Sequence, residues 1–262
     1  MLLPHLKINP KIVSKIALLP GDPARVDIIG KQLKGFEIIN QNREFRIGLG
    51  IYKNVPVLVC STGIGSPSTA IVVEELISAG IKTLIRIGTC GGAWRKDIKN
   101  GSLIIPSACV RNEGTTQEYI PAGFPAIADT DVVNALKRAS VNYKNKIYVG
   151  INRTHDAFYG NQESITKWGK YLLDKKWRNY DTPILSSDME CSTIFVIASL
   201  KGVKAGAVLL VNANPEPLKD RLVGKKQLVV AKKTDSKNFL ESQMKRAIKV
   251  ALEAIKELNS LP

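Results

Sequence analysis

Soft metal ligands are scarce in this chain of 262 residues, which holds four cysteines and two histidines. Cys60, Cys90, Cys109 and Cys191 fall in four separate apolar or glycine-rich contexts with no C-x-x-C pair, and His5 and His155 stand far apart. That spacing excludes a structural zinc site. A chain of this size needs no disulfide staples, so buried thiols in a reducing cytoplasm are expected. No apolar run approaches the roughly 20 residues that span a bilayer. The opening MLLPHLKINPK lacks the basic head and long apolar stretch of a signal peptide, so no membrane partner is expected. The common nucleotide signatures are missing too. No G-x-x-x-x-G-K-[ST] loop occurs, and Gly63-Ile64-Gly65 runs into Ser66-Pro67-Ser68 where a dinucleotide fingerprint requires a third glycine. With no G-x-S-x-G elbow, a hydrolase of that type is excluded as well.

Acidic residues are also in short supply: 23 Asp and Glu face 38 Lys and Arg, a net charge of +15. Such an excess attracts anions, whether nucleic acid, acidic membrane or a phosphate-bearing substrate. The basic residues are mostly lysines spread along the chain, denser over 167–178 and 219–233. They never stack five or six together or alternate with aromatics as a strand-binding groove does. A solvated lysine-rich surface is the expectation, and nucleic acid is not an expected partner. The remaining composition, 44% hydrophobic and 23% charged, is ordinary globular usage.

The recurrent unit is a short apolar run, a glycine-rich turn and a helical pattern. Residues 15–19 (KIALL) read as a strand and Pro20-Gly21-Asp22-Pro23 as its turn, with Asp22 capping a helix and Pro23 at its first position. Residues 55–61 form a second strand leading to the loop 62–66. Pro67, Ile71, Leu76, Ile77 and a stop at Gly80 mark the next helix. Residues 83–87 (TLIRI) run into Gly88-Thr89-Cys90-Gly91-Gly92, and 146–152 and 205–212 supply further strands. From about 236 to 258, Leu240, Met244, Ala247, Ile248, Ala251, Leu252, Ile255 and Leu258 recur at helical spacing and predict a core-facing helix. Alternating strands and helices predict one α/β domain over residues 1–262, with a mostly parallel or mixed sheet covered by helices. The segment 111–129, rich in Gly, Pro and Thr, reads as a long functional loop.

In such a sheet, ligands bind beyond the carboxyl ends of the strands, where glycine-rich turns leave backbone N–H groups available. Arg25 follows the first such turn, and Arg86 lies inside an apolar strand. A guanidinium keeps its charge when buried, so Arg86 requires an anion. Either an internal carboxylate or a bound phosphate satisfies that demand. In Ser187-Asp188-Met189-Glu190-Cys191, the carboxylates either hold a pair of sugar hydroxyls or serve the start of the next helix, Asp188 as cap and Glu190 in its first turn. Residues 156–163, with Phe158 and Tyr159 beside Asn161 and Gln162, either stack on a flat heterocycle or belong to the core.

Together these segments resemble the nucleoside phosphorylase family, in its uridine phosphorylase branch. The resemblance covers nearly the whole chain. It rests on Pro20-Gly21-Asp22-Pro23-Ala24-Arg25, Asn42-Arg43-Glu44-Phe45, Cys60-Ser61-Thr62-Gly63-Ile64-Gly65, Pro67-Ser68-Thr69, Val73-Glu74-Glu75-Leu76, Arg86-Ile87-Gly88-Thr89, Phe124-Pro125-Ala126, Asp156-Ala157-Phe158-Tyr159 and Asp188-Met189-Glu190. The family fold it implies is a single three-layer domain, with a mixed, barrel-like sheet flanked by helices. The assembly implied is a hexamer, a trimer of dimers with sites shared across each dimer.

The resemblance implies catalysis by Arg86, Glu190, Arg25 and Arg43. Gly21, Arg25, Arg43, Arg86 and Thr89 would bind phosphate, with Arg43 supplied by a neighbouring subunit. His5 of that neighbour, Thr89, Met189 and Glu190 would hold the ribose, and Phe158, Gln162 and Gly91 the base. Glu44, Ile64 and Ser68 match positions that hold a monovalent cation in some relatives. No organic cofactor is implied, and inorganic phosphate is the co-substrate. The reaction implied is reversible phosphorolysis of a nucleoside to free base and ribose 1-phosphate.

The base pocket departs from the family pattern. Ser164 and Ala213 stand where uridine phosphorylases usually place arginines, and Asn212-Ala213-Asn214 lacks the acid of purine-specific relatives. Uridine or a related pyrimidine nucleoside is the expectation. Purine nucleosides, methylthioadenosine or a broad range are the alternatives, with Lys167, Asn161 or Asn214 as replacement donors. A non-catalytic anion-binding protein and a nucleic-acid-binding protein are the readings outside this chemistry.

Overall fold

The computed structural model describes residues 2–10, 14–92, 97–143, 146–158, 184–213 and 237–260. The first strand, Ile16–Pro20 (β1), is buried at every residue and stops at the turn that launches Pro23–Gly30 (α1). Asp22 caps that helix by accepting from the Ala24 N–H at 2.9 Å, with Pro23 in the first turn where its missing N–H costs nothing. Lys34–Asn42 (β2) and Phe45–Tyr52 (β3) form a hairpin whose turn holds Arg43 in the left-handed region, φ 54. Val55–Cys60 (β4) leads through the 61–65 loop into Ser66–Ser78 (α2), and Gly80 at φ 97 takes the stop position after it. Thr83–Gly92 (β5) and Leu103–Asn112 (β6) follow, then the short Thr115–Tyr119 (α3) and Ala126–Ile127 (β7). Asp129 caps Thr130–Ala139 (α4) through the N–H groups of Asp131 and Val132. Ile147–His155 (β8), Ile184–Asp188 (β9), Cys191–Lys201 (α5), Lys204–Ala213 (β10) and Lys237–Leu258 (α6) complete the order.

The strands join in one mixed sheet. β10 pairs with β6 and also with β5, so β5, β10, β6, β8 and β9 close on themselves as a five-stranded barrel. The remaining order, β1-β4-β3-β2, runs out from β5 as an open extension. Helices cover both faces over two separate cores. One packs Val72, Val73 and Leu76 of α2 with Ile194–Ala198 of α5. The other packs α1, α4 and α6, and the expected stripe of α6 is in it from Met244 to Leu258. Leu240 is only partly covered. The three-layer arrangement and barrel-like sheet match the architecture expected from the sequence.

The strand boundaries move by a few residues from those read in sequence, because pairing with neighbours lengthens the ladders. The larger correction concerns 111–129, which is ordered and not a long loop. Arg111 Nη1 donates to the carbonyls of Pro121 and Phe124 at 2.8 and 2.6 Å, and Nη2 to those of Thr116 and Ile120, both at 2.8 Å. One guanidinium therefore satisfies backbone acceptors that a loop of this composition would leave to water. The lysine-dense stretches 167–178 and 219–233 lie outside the described residues.

Candidate functional site

The carboxyl ends of β1, β4 and β5 and the start of α5 converge. Gly21 follows β1, and a Cβ there would lie 3.3 Å from the Gly63 carbonyl and 3.9 Å from Arg86 Nη1. The two glycine turns approach backbone to backbone, which a side chain would block. Gly63 itself sits at φ 70 with Glu44 and Ser68 against it. The Thr62 N–H donates to the Pro20 carbonyl at 2.9 Å, tying the loops together.

Arg86 lies at the centre, 4% exposed. Its Nε donates to Asp188 Oδ2 at 3.1 Å, and its Nη2 bonds Glu190 Oε2. Its Nη1 is buried and has no hydrogen-bond partner among the described residues. A buried charged donor left unsatisfied is costly, so this atom is suited to an incoming oxyanion. The internal-carboxylate answer for Arg86 therefore holds: Asp188 and Glu190 pair two of its nitrogens, and the third lies near Gly21. Burial by itself lowers the Arg86 pKa, but the charges of Glu190 and Asp188 outweigh it and hold the group above its usual range.

Arg25, one turn into α1, is half-buried near the same point. Burial lowers its pKa, Asp22 opposes that, Arg86 lowers it further and Glu190 raises it. Two guanidinium groups within electrostatic reach repel each other, and an anion between them removes that repulsion. Thr89 and Gly91, on the outward continuation of β5, are partly exposed.

Glu190 precedes α5 as its N-cap residue but makes no side-chain cap. Asp188 caps the helix instead, accepting from the Cys191 N–H at 3.0 Å. This bears out the capping expectation for Asp188 and corrects the one for Glu190. Glu190 Oε1 accepts from the Gly65 N–H at 2.9 Å, and Oε2 from the Met189 N–H at 3.1 Å. Burial raises its pKa against the opposing charge of Arg86. The carboxylate is thus fixed in place: Oε2 already accepts from Arg86 and Met189, and Oε1, which accepts only from Gly65, keeps lone-pair capacity for a hydroxyl donor. Met189 stands beside it, partly exposed, its carbonyl accepting from Ser66 Oγ at 3.0 Å.

Other expected residues are placed elsewhere. Arg43 is exposed at the β2–β3 turn. His5 docks on α2, its Nδ1 2.6 Å from Glu75 Oε1, while the N–H groups of His5 and Leu6 donate to the same carboxylate. Among the described residues no hydrogen bond joins either side chain to Arg86 or Glu190 of the same chain. Ser68 Oγ donates to Glu44 Oε1 at 2.9 Å, so two of the three cation candidates meet, while Ile64 is 79% exposed. Phe158, just beyond β8, is 71% exposed. Gln162, Tyr159, Asn161, Ser164, Lys167 and Asn214 lie outside the described residues.

Sequence reading passed over the support beneath Asp188. Asn152 Nδ2 and Thr154 Oγ1 both donate to Asp188 Oδ1 at 2.8 Å, and Ser186 Oγ donates to Asn152 Oδ1 at 2.8 Å. The available signal was two polar residues, Asn152 and Thr154, spaced to face one side of a strand.

Comparison with known proteins bears directly on this geometry. The model of the Phosphorylase superfamily matches residues 15–256. A guanosine phosphorylase of Halorubrum lacusprofundi is 34% identical over 97% of this chain and 98% of its own. A uridine phosphorylase of Treponema pallidum is 38% identical over 97% of this chain and 93% of its own. The crystal structure of uridine phosphorylase from Vibrio fischeri superimposes with a TM-score of 0.82 at 29% identity, covering 98% of both chains.

Proposed function

The chain belongs to the phosphorylase superfamily, and from that premise we propose that it catalyses reversible phosphorolysis of a nucleoside, in the manner of uridine phosphorylases. The reaction is a pentosyl transfer to inorganic phosphate and needs no organic cofactor. One observation carries the reading: the buried Nη1 of Arg86, without a hydrogen-bond partner among the described residues, lies near Gly21 and within electrostatic reach of Arg25.

Phosphate would lie against Gly21, between Arg25 and Arg86, with Thr89 as a further donor. Two cations and backbone amides gather the anion and orient one oxygen toward C1′ of the sugar. The fixed carboxylate of Glu190, with Met189 beside it, would hold the ribose hydroxyls. Arg86 bonds Glu190 directly, so the phosphate and sugar subsites share one rigid charge pair. As the glycosidic bond breaks, positive charge develops on the sugar and the phosphate stabilises it, while electrons pass to the departing base. Gly91, Phe158 and Gln162 are proposed for the base.

Arg43, exposed on its turn, and His5 are proposed to act in the site of a second copy, in a hexamer built from dimers. A monovalent cation at Glu44, Ile64 and Ser68, a cytoplasmic location and a part in pyrimidine salvage belong to the same proposal. Incubation with phosphate and uridine, thymidine, inosine, adenosine or methylthioadenosine, followed by chromatography for free base, tests it. Phosphate-dependent release of base from at least one of them is expected. No release from any would overturn the reading.

A further inference from the structure

The register of the barrel brings a second set of polar groups to the base end of the site. In β8, Asn152 and Thr154 face Asp188, so the alternate residues Arg153 and His155 face the opposite side of the sheet. Arg153 is paired in register with Ser187 of β9, and Ser187 with Gly91 of β5. A Cβ on Gly91 would stand 3.2 Å from Ser187 Oγ. Paired residues present their side chains to the same face, so Arg153, Ser187 and Gly91 share one wall. His155 is paired with Asn112 of β6 on that wall, and Asn112 Oδ1 accepts from Arg153 Nε at 2.8 Å.

We propose that Arg153 and His155 form the base-selecting wall of the site and favour nucleosides whose base carries an oxo group over those with an amino group in its place. This rests on the phosphorolysis reading, with Gly91 beside the base. His155, partly exposed, would meet the base, and Arg153, 3% exposed, stands behind it as the positioning charge.

The chemistry follows from where the electrons go. The C1′–N bond breaks with its electron pair left on the base nitrogen, a phosphate oxygen bonds C1′, and the base later takes a proton from water. In an oxo base the negative charge spreads onto carbonyl oxygen, an acceptor for the His155 N–H that the positive charge of Arg153 behind it also stabilises. An amino base presents N–H donors there and meets repulsion. Two features support the assignment. Burial pushes Arg153 down to about 10, still protonated at neutral pH. Burial and the Arg153 charge together lower His155, against the raising effect of Asp188 and Asp156, so its imidazole stays neutral, and with the Arg153 cation behind it would present its one N–H to the base.

The test measures kcat/KM for uridine, inosine, adenosine and cytidine, with the phosphate KM alongside, in the unaltered chain and in Arg153→Gln, Arg153→Lys and His155→Ala. The unaltered chain should prefer uridine and inosine. Arg153→Gln and His155→Ala should lower that preference about tenfold or more, with phosphate KM unmoved, and Arg153→Lys should retain part of it. If Arg153→Gln does not fold, His155→Ala carries the same readout. A preference unmoved in the variants, an equal loss on all four nucleosides, or an unaltered chain that prefers the amino bases overturns the inference alone. No phosphate-dependent cleavage by the unaltered chain overturns the phosphorolysis reading as well.

Discussion

Arg86 Nε and Asp188 Oδ2 are 3.1 Å apart although 102 residues separate them in the chain. The same Asp188 oxygen caps α5, whose N-cap residue is Glu190. One buried carboxylate therefore orients the guanidinium and the helix start together, and both proposed subsites depend on it.

Asp188→Asn tests that dependence. Asparagine still caps a helix, so the fold should persist, while Arg86 loses half of its compensating charge and the fork its alignment. The phosphate KM should rise about tenfold or more, in line with weakening a buried charged pair. Phosphate saturation kinetics alongside thermal melts separate this from unfolding, and an unchanged phosphate KM would refute the positioning role.

Arg86→Ala removes the central cation. Phosphate-dependent cleavage should drop by about 10²–10³-fold or more, comparable with loss of a transition-state charge donor. Arg86→Lys keeps charge but not the planar fork, so only a small part of the activity should return. Near-normal turnover in Arg86→Ala would contradict the site.

Arg43→Ala lies on an exposed turn, so stability should change by no more than about 0.5 kcal/mol. Activity should nevertheless fall if, as proposed, a second copy uses that side chain. Co-expression of Arg43→Ala with Arg86→Ala should restore about a quarter of the sites, since half of randomly formed dimers are mixed and each mixed dimer has one complete site. Mixed preparations as inactive as either parent would exclude sharing across the dimer.

His155 sets a pH dependence. Its folded pKa is lowered from 6.5, first by burial and then by Arg153. A depressed value means that the unfolded chain takes the proton first. The stability His155 contributes is full above about 6.5 and is lost as pH falls below that toward the folded value. Melting temperatures at pH 7.5 and 5.5 should therefore drop more for the unaltered chain than for His155→Gln. Equal drops would show that the imidazole is not held neutral by its surroundings.

Arg111→Met removes the donor that holds four carbonyls and the Thr116 hydroxyl. A loss of about 2–4 kcal/mol in urea unfolding is expected, with faster proteolytic cleavage between residues 113 and 125. A stable, protease-resistant variant would show that the segment is held by other contacts.

Local features were legible without coordinates. The Asp22 cap with Pro23, the strand around Arg86, the stop at Gly80 and the apolar stripe of α6 each depend on residues within a turn or two of one another. Segments whose pattern is not self-contained were not. β2 is mostly exposed along its length and lacks an apolar signature, and 111–129 looks like loop because its organising group, Arg111, stands at one end and works through backbone carbonyls.

The sequence by itself determined which chemistry is available: arginines beside glycine turns, carboxylates at one helix start, and an ordered set of motifs characteristic of one family. Tertiary structure alone decided how those groups meet. Closure of the barrel by β10 and the pairing of Arg86 with Asp188 and Glu190 join residues about a hundred positions apart. The placement of Arg153 on the Gly91 wall likewise follows from strand register. Helix caps and periodicity are set by neighbours in the chain. Register and buried ion pairing are set by which surfaces exclude water together, and no local pattern encodes that.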